Sequence, residues 1–462
     1  MIKMRFKNKI VPAAIASTLA LSIAAGFSSS AHSKVEHSPK ENSKPKNIIF
    51  MIGDGMGVPY LAAHRYMKDN PATKKIETTT FDRYVTGMQT TYPDDHEQNI
   101  TDSSSAATAM SAGIKTYNSA VAVDVNKNEV KTVLEQAKAV GKATGLVATS
   151  EMTHATPASY GGHDESRRNM DQLADDYFDE KIKGKHKIDV MLGGGLNNFA
   201  RKDRDLTREF KKSGYSYVTN KQELLKDKNP QVLGLFADGG LPKMIDRSKD
   251  VPSLKEMANA AIQRLNQDKD GFFLMIEGSQ IDWAAHDNDI VGAMSEMEDF
   301  EQAYKAVIDF AKKDKNTLVV LTSDHSTGGF TMGANGQYNW FPEPIQNAKR
   351  TPDFMAAEIA KGNNAKNVLN QYSGLNLTAN ELESVEKAAK PINGAIDVTA
   401  VDNAIEKIYN GRTNTGWTTG GHTGDDVAVM AYGPSKDKFT GLMDNTDHAK
   451  IIFNILKDRK KH

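Results

Sequence analysis

Acidic, histidine and hydroxyl side chains follow four apolar segments of this chain, at the point where each segment ends. They are Asp54 after residues 47–52, Glu151, His154 and Thr156 after 144–149, Glu277, Asp282 and His286 after 272–276, and Asp324 with His325 after 317–322. Carboxylates and imidazoles are the ligands that zinc and similar divalent cations take where cysteine is absent. Because ligands bind outside the carboxyl ends of strands in open α/β sheets, the pattern predicts one shared metal site.

Each motif alone also has an ordinary structural explanation. Asp54 lies between two glycines and could belong to a plain turn. Asp282 and His286 have the spacing of a surface pair on a helix, and Asp324 with His325 could cap one. Their recurrence after every major strand favours the shared site over four independent turns.

A candidate nucleophile lies in the segment Thr101-Asp102-Ser103, which precedes a run of small residues ending at Ala109. The run predicts a helix with Ser103 at its N-terminus. Backbone N–H groups and the helix dipole favour an anion there, so phosphate oxygens and a developing alkoxide would both be stabilised. The alternative, an ordinary N-cap made by Asp102, remains open at this point.

The elements that must position these residues alternate along the chain. Short apolar, β-branched runs occupy residues 47–52, 144–149, 188–192, 272–276, 317–322 and 427–432. Amphipathic helical segments such as residues 129–140, 253–266 and 293–312 lie between them. This alternation predicts an α/β three-layer sandwich, with a central mostly parallel sheet and helices on both faces. Residues 338–412 are polar and helix-like, and we expect them to form an insertion packed on the sheet.

The N-terminus has the order of an export signal. Four basic residues between positions 3 and 9 precede an apolar stretch at 10–27 and small residues at 28–30. This order predicts a signal peptide at 1–33, a flexible polar tether at 34–46 and a catalytic domain at 47–462. The alternative is a membrane anchor, but the apolar stretch falls short of the roughly 20 strongly apolar residues that a span needs. We therefore expect a secreted or cell-surface protein without a membrane span in its mature chain.

Composition narrows the chemistry further. The chain has no cysteine, which excludes disulfides, thiolate ligands and a cysteine nucleophile. Its 58 basic and 59 acidic residues give a formal charge of −1. Without a strong overall field, nucleic acid is not expected as a specific partner, and small substrates are favoured.

The motifs, taken in their order along the chain, resemble the alkaline phosphatase family, and most of all its small secreted bacterial forms. The matching motifs are Asp54-Gly55-Met56-Gly57, Thr101-Asp102-Ser103 with its alanine-rich helix, Glu277-Gly278 with Ile281-Asp282 and His286, Ser323-Asp324-His325, and Gly421-His422-Thr423-Gly424. The resemblance covers nearly all of the chain after the leader. It implies hydrolysis of small phosphate monoesters through a phosphoserine intermediate, and a homodimer.

The resemblance also implies a set of ligands, with two zinc ions and one magnesium ion per chain. One zinc would be held by Asp282, His286 and His422. The second would be held by Asp54, Asp324 and His325, with Ser103 bonding to it and attacking the phosphate. Magnesium would take Glu277 and Thr156, with Asp54 bridging to it. Arg167 matches the position of the family's phosphate-binding arginine, and the adjacent Arg168 is a competing choice.

Two positions depart from the best-known enterobacterial pattern of the family. His154 replaces an aspartate and Trp283 replaces a lysine. Other members of the family have these residues, so activity is not in question. Because imidazole shifts an oxygen site towards zinc or cobalt, the identity of the third ion is left open.

Other functions are compatible with part of this pattern. Phosphodiesterases, sulfatases and phosphoglycerate mutases share a similar sheet and metal pair, but Arg167 and the residues for a third ion favour a monoesterase. A secreted phosphate or metal scavenger would not need Ser103. The sequence does not identify the physiological ester.

Overall fold

The computed structural model describes residues 44–457. The predicted signal peptide at 1–33 and most of the tether at 34–46 lie outside the described residues. None of the helices between residues 44 and 457 combines the length and apolar character that crossing a bilayer requires.

Strands and helices alternate along the described chain. The strands are β1 (Asn47–Gly53), β2 (Val85–Thr90), β3 (Ala143–Glu151), β4 (Lys181–Ile182), β5 (Lys185–His186), β6 (Val190–Gly194), β7 (Ser216–Val218), β8 (Val232–Leu235), β9 (Phe272–Gly278), β10 (Thr317–Thr322), β11 (Ser326–Thr327), β12 (Thr331–Met332), β13 (Thr415–Gly416), β14 (His422–Thr423), β15 (Val427–Tyr432) and β16 (Gly441–Asp444). The α-helices are α1 (Val58–Lys68), α2 (Ser103–Ala112), α3 (Val133–Ala139), α4 (Ala155–Gly161), α5 (Met170–Asp179), α6 (Leu196–Phe199), α7 (Leu206–Lys212), α8 (Lys221–Lys226), α9 (Leu254–Leu265), α10 (Gln280–His286), α11 (Ile290–Asp314), α12 (Glu343–Asn347), α13 (Pro352–Ala360), α14 (Ala365–Tyr372), α15 (Ala379–Ala388), α16 (Val398–Thr413) and α17 (Thr446–Leu456).

Ten of these strands form the central sheet, in the order β16-β2-β15-β10-β1-β9-β3-β6-β8-β7. Its pairings are parallel except for β15, which runs antiparallel to both β10 and β2. The expected mostly parallel sheet is therefore confirmed, with β15 as the exception among the strands that the sequence indicated. Strands β2, β7, β8 and β16 were not indicated by the sequence.

Both faces of the sheet are buried, because its strands are apolar at nearly every position. Along β1, Ile49 and Met51 pack into one hydrophobic core, whereas Ile48, Phe50 and Ile52 pack into a second core on the opposite face. Successive side chains of a strand point to opposite faces, so a run that is apolar at every position needs a helical layer on each side.

The three helical segments indicated by the sequence form α3, α9 and α11, with one difference in extent. Helix α3 begins at Val133 rather than near residue 129. The cause is a capping box, in which Thr132 accepts a hydrogen bond from the Glu135 N–H and Glu135 accepts one from the Thr132 N–H.

Helices α12 to α16 occupy most of the segment expected to be an insertion, and α16 packs against both α13 and α11. Lys243, itself buried, links this layer to the chain after α10. Its Nζ forms an ion pair with Asp353 of α13 and lies 3.5 Å from Asp287 and 3.8 Å from Asp289. A single ammonium group thus compensates several carboxylates at this junction.

Two more acids on α16 face the same junction and are only 8% and 4% exposed, namely Asp402 and Glu406. Burial, and next the charge of Asp353, raises the pKa of Asp402 to about 8. Burial, and next the charge of Asp402, raises the pKa of Glu406 to about 10. Both carboxyl groups therefore hold protons at neutral pH, which relieves a repulsion that one lysine cannot offset.

We expect Glu406→Gln to stabilise the protein increasingly as pH rises. The folded chain keeps a proton on Glu406 that the unfolded chain loses above pH about 4, so this group's contribution to stability declines from that pH up to its folded pKa. Glutamine removes the penalty, and the gain in unfolding free energy should exceed about 1 kcal/mol at pH 9 and be small at pH 5. Thermal unfolding at both pH values measures it. Glu383→Gln, at an exposed position of α15, is the matched control, and an equal gain at both pH values would contradict the assignment.

Candidate active site and metal centre

The predicted ligands converge because their strands are neighbours in the sheet. Strands β10, β1, β9 and β3 lie side by side and run parallel. Asp324, Asp54 and Glu277 are at or just beyond the carboxyl ends of the first three. The loop after β3 delivers His154. The sheet therefore brings residues that are far apart in sequence to one edge.

The first cluster contains Asp54, Asp324 and His325, which are fully buried. His325 Nε2 lies 3.5 Å from Asp54 Oδ1 and 3.2 Å from Asp324 Oδ2. Ser103 Oγ lies 3.2 Å from the same nitrogen. The hydroxyl group of the candidate nucleophile thus borders a set of ligands suited to one cation.

The second cluster contains Asp282, His286 and His422. His286 Nε2 lies 3.2 Å from Asp282 Oδ2 and 3.2 Å from His422 Nε2, and His422 Nε2 lies 3.8 Å from Asp282 Oδ1. His422 reaches the site through β14, which pairs with β11 directly after the Asp324 and His325 loop. The structure therefore brings together the three residues that the family resemblance implies for the first zinc.

The third cluster joins Asp54, Glu277 and His154, whose ligand atoms lie within 4.8 Å of one another. Thr156, in the first turn of α4, is also fully buried. The other acid that follows β3, Glu151, is not part of any such group of ligand atoms in the described chain. The His154 ring packs edge-on against Trp283, with ring centroids 5.5 Å apart.

Several polar atoms in these clusters are buried and make no hydrogen bond within the described chain. They are both carboxylate oxygens of Asp54, Asp324 Oδ2, Glu277 Oε1 and Thr156 Oγ1. Buried polar groups in native proteins nearly always have partners, so such a concentration of oxygens calls for a bound group. Carboxylates and a hydroxyl suit divalent cations, which the donor set therefore fits.

The pKa values of the clustered acids also favour bound cations at this site. Burial, followed by the charges of Asp324, Asp282 and Glu277, raises the pKa of Asp54 far above its ordinary value. Burial also raises the pKa of Asp324 to about 6 and that of Glu277 to about 7. Buried carboxylates at this density stay ionised at neutral pH only when positive charge lies among them, and otherwise they take up protons.

Two of the four candidate histidine ligands, His325 and His154, are in the neutral form that metal ligation needs. His286 differs, because its hydrogen bond to Asp282 raises its pKa to about 9. Burial, followed by the charge of His422, lowers the pKa of His325 well below its ordinary value. Burial, followed by the charge of Arg167, lowers the pKa of His154 to about 3. Both rings are thus neutral at physiological pH, which leaves a nitrogen lone pair available to a cation.

Asp102 has two roles at the N-terminus of α2. It caps the helix by accepting a hydrogen bond from the Ser105 N–H, and it also accepts one from Arg167 Nη1 at 3.1 Å. Arg167 Nη2 lies 3.1 Å from His154 Nε2. The N-cap and the functional interpretation of this segment are therefore compatible, because the cap residue also holds the guanidinium group beside Ser103.

Arg168 is placed differently from its neighbour. Its side chain is exposed, and its backbone N–H donates to Ser166 Oγ at 3.4 Å. Of the two arginines, it is Arg167 that contacts Asp102, the residue next to Ser103. This geometry favours Arg167 over Arg168 as the residue that binds phosphate.

Two contacts that hold the ligands gave no signal in the sequence. Thr327 Oγ1 donates to Asp282 Oδ1 at 2.5 Å, and the Gly55 N–H donates to Asp324 Oδ1 at 3.0 Å. Gly55 has φ of 69°, and a Cβ atom there would lie 2.8 Å from Asp282 Oδ1. The glycine is therefore needed both for its backbone conformation and for space beside the ligands.

Comparisons with known proteins agree with this geometry. The family model described as alkaline phosphatase matches residues 45–458. Alkaline phosphatase 3 of Bacillus subtilis is 64% identical to this chain over 456 residues, which are 98% of each protein. The chain belongs to the alkaline phosphatase family. It is a phosphoric monoester hydrolase, and as a member of this family it is metal-dependent.

Solved structures of the family have the same fold. That of a cold-active alkaline phosphatase from Shewanella sp. matches with a TM-score of 0.83 and 39% identity, covering 89% of this chain and 100% of the other. A histidine-to-glutamate mutant of the alkaline phosphatase from the Antarctic bacterium TAB5, with magnesium bound in its M3 site, matches with a TM-score of 0.66 and 30% identity. That match covers 90% of this chain and 99% of the mutant.

We expect the effect of Asp54→Asn on stability to change sign when metal is removed. With cations bound, loss of a carboxylate that borders two clusters should lower the melting temperature and activity. After chelation, the same change relieves repulsion among Asp54, Asp324 and Glu277, so the variant should melt at or above the unmodified chain. Calorimetry with and without chelator, followed by addition of zinc, measures both effects. If chelation leaves the stability and activity of the unmodified protein intact, these carboxylates do not bind cations.

Proposed function

We propose that this alkaline phosphatase hydrolyses phosphate monoesters through a phosphoserine formed on Ser103, beside two zinc ions and a third divalent cation. The observation that carries the proposal is the position of Ser103 Oγ. It lies 3.2 Å from His325 Nε2, at the first residue of α2 and beside Arg167. The serine hydroxyl, the guanidinium group of Arg167 and the candidate metal ligands thus lie close together.

The side chains divide the reaction among them. Ser103 Oγ forms a bond to phosphorus while the ester oxygen departs as the alcohol, and water then releases phosphate from the serine. Bound divalent cations would lower the proton affinity of the serine hydroxyl and neutralise charge on the phosphate oxygens. The N-terminus of α2 adds N–H groups and a favourable dipole on the same side.

Arg167 supports a monoester as the substrate. Its guanidinium group is held by Asp102 and can donate two parallel hydrogen bonds to a phosphoryl group. A monoester offers more free anionic oxygens to this group than a diester does. The runner-up activity, phosphodiester hydrolysis, would gain less from such a contact.

We expect Ser103→Ala to retain the fold and the bound metals but to lose most turnover of a chromogenic monoester, by about a thousandfold. Ser104→Ala is the control, because Ser104 is the next buried hydroxyl but donates to Asp102 instead of facing His325. Acid quenching during turnover, followed by mass spectrometry, should find phosphate on Ser103. Phosphate on any other residue would overturn the proposal.

Arg167→Ala should weaken inorganic phosphate binding and monoester turnover by about 10-fold to 100-fold, and should affect a diester less. Arg168→Ala is the matched control, since its exposed side chain should leave the monoester reaction almost unchanged. Inhibition constants for phosphate, measured with kcat/KM for both ester types, give the comparison. Faster hydrolysis of the diester than of the monoester by the unmodified enzyme would favour a phosphodiesterase.

For the third cation, we propose a site made by Asp54, Glu277, Thr156 and His154. The three oxygen donors suit magnesium, whereas the neutral imidazole favours zinc or cobalt. In the TAB5 enzyme, a mutant that exchanges one histidine for glutamate has magnesium in its M3 site. In this chain Trp283 packs against His154 and limits the orientations that the ring can adopt.

His154→Asp should therefore shift the third site towards magnesium. In metal-stripped protein supplied with zinc for the other two sites, added magnesium should activate the variant more strongly than the unmodified enzyme. Trp283→Lys adds a cation near the phosphate and should lower the inhibition constant for inorganic phosphate. Elemental analysis and turnover measure the outcome, and an unchanged metal preference in His154→Asp would exclude a role for His154 at this site.

Export and assembly are the remaining parts of the proposal. The basic and apolar leader supports secretion with cleavage near residue 34, and family membership supports a homodimer. N-terminal sequencing of protein from the culture medium and light scattering of the purified enzyme test the two statements. An uncleaved leader would refute the proposed cleavage. A monomer at the concentration used in assays would refute the proposed homodimer.

A further inference from the structure

A cleft of about 800 Å³ opens at the opposite edge of the sheet from the metal ligands. Ala143, the first residue of β3, lines it together with Asp189 and Gln231, which directly precede β6 and β8. These are the amino ends of parallel strands whose carboxyl ends face the active site. The cleft is therefore separate from the catalytic chemistry.

The lining of this cleft is strongly basic, although the whole chain has a formal charge of −1. It contains six basic side chains and two acidic ones, and the basic ones are Lys138, Lys142, Lys181, Lys183, Lys185 and Arg264. The β4–β5 hairpin supplies three of these lysines at alternate positions. Such a concentration of one sign of charge attracts ions of the opposite sign.

Among the residues that the structure describes, only two of the six basic groups form an ion pair with a carboxylate. Lys138 Nζ lies 2.6 Å from Asp189 Oδ2, and Arg264 Nη2 lies 3.1 Å from Asp227 Oδ2. These pairs are locally neutral. The other four basic groups are Lys142 and the three hairpin lysines Lys181, Lys183 and Lys185.

Two of those four are held in place by backbone carbonyl groups, which orient an ammonium group without neutralising it. Lys142 Nζ donates to the carbonyl oxygens of Lys46 and Asp270, and Lys183 Nζ donates to that of Ala139. Lys185 forms neither an ion pair nor a side-chain hydrogen bond within the described chain. The charges of Asp270 and Asp268 act on Lys142, so the uncompensated positive charge of the cleft lies chiefly on the hairpin lysines.

His186 lines the cleft and is largely buried. Burial, and next the charges of Lys181 and Lys138, lowers the pKa of this histidine below its ordinary value. The ring therefore stays neutral and adds no positive charge. The positive charge of the lining therefore comes from the lysines and the arginine, not from this histidine.

The lining also indicates what kind of anion fits. None of the described residues that line the cleft is a phenylalanine, tyrosine or tryptophan on which a nucleic acid base could stack, and the nearby Phe178 ring lies under the Lys181 ammonium group, with Nζ 5.7 Å from its centroid. Its charges are lysine ammonium groups, which bind phosphate as point charges, and they are spaced along a hairpin. A chain of phosphates without bases matches this arrangement better than a single compact anion or a nucleic acid.

We propose that this basic cleft binds linear polyphosphate and so tethers the enzyme to a phosphate-rich polyanion, while its active site remains open to small esters. The cleft and the catalytic serine are at opposite edges of the sheet, so a tethered molecule can still turn over substrate. Affinity would depend on several ammonium groups acting together, and it would fall steeply as salt concentration rises.

The test uses a triple variant, Lys181→Ala with Lys183→Ala and Lys185→Ala, in the metal-loaded full chain. Binding of labelled inorganic polyphosphate is measured by anisotropy in a Ser103→Ala background, and a gel confirms that the probe keeps its length. A matched control removes three exposed lysines elsewhere, Lys74, Lys75 and Lys438. Shortening of the probe would count against the role of Ser103 and not against the cleft.

We expect the hairpin variant to bind polyphosphate about tenfold more weakly and with a shallower salt dependence, and the control to bind as the parent does. With Ser103 intact, the hairpin variant should hydrolyse a small monoester at the parental rate, which also shows that it folds. Equal weakening in both triple variants would overturn the proposal. Tighter binding of single-stranded DNA of matched charge than of polyphosphate would overturn it too.

Discussion

The mutual repulsion of buried carboxylates is the constraint on which the rest of this structure depends. Asp54, Glu277, Asp282 and Asp324 are at most 3% exposed and converge from neighbouring elements. In a medium of low effective dielectric constant, these carboxylates can all be ionised only when positive charge lies among them. The sheet, the neutral rings of His154 and His325 and the capped helix α2 all place groups around these carboxylates. The fold provides the convergence, and cations would make it stable.

The sequence revealed those parts of the molecule whose signals are local. Strands β1, β9 and β10 were evident because burial on both faces demands an apolar residue at nearly every position. Strands β7 and β16 were missed because short strands near the sheet margins have mixed patterns. The candidate ligands Asp54, Glu277 and Asp324 were recognised because they lie at or just beyond the carboxyl ends of strands. Family resemblance was needed for His422, since β14 has only two residues and no apolar signal.

Contacts between distant segments could not be predicted from local sequence patterns. The bond from Arg167 to Asp102 and the grouping of acids around Lys243 depend on how separate elements pack. Lys243 resembles any surface lysine in the sequence, yet it is buried among aspartates. The chain thus manages excess negative charge by two physical means. Cations suit the catalytic cluster, whereas Asp402 and Glu406 are neutralised by protons.

The pairing of β14 with β11 has a consequence for the time at which activity arises during folding. His422 is separated from Asp324 and His325 by helices α12 to α16, and it joins Asp282 and His325 only after β11 and β14 have met. In the proposed site, a chain whose β14 has not yet paired with β11 has an incomplete ligand set, however much of its sheet has formed. Hydrolytic competence would therefore be among the last properties that the folding polypeptide acquires.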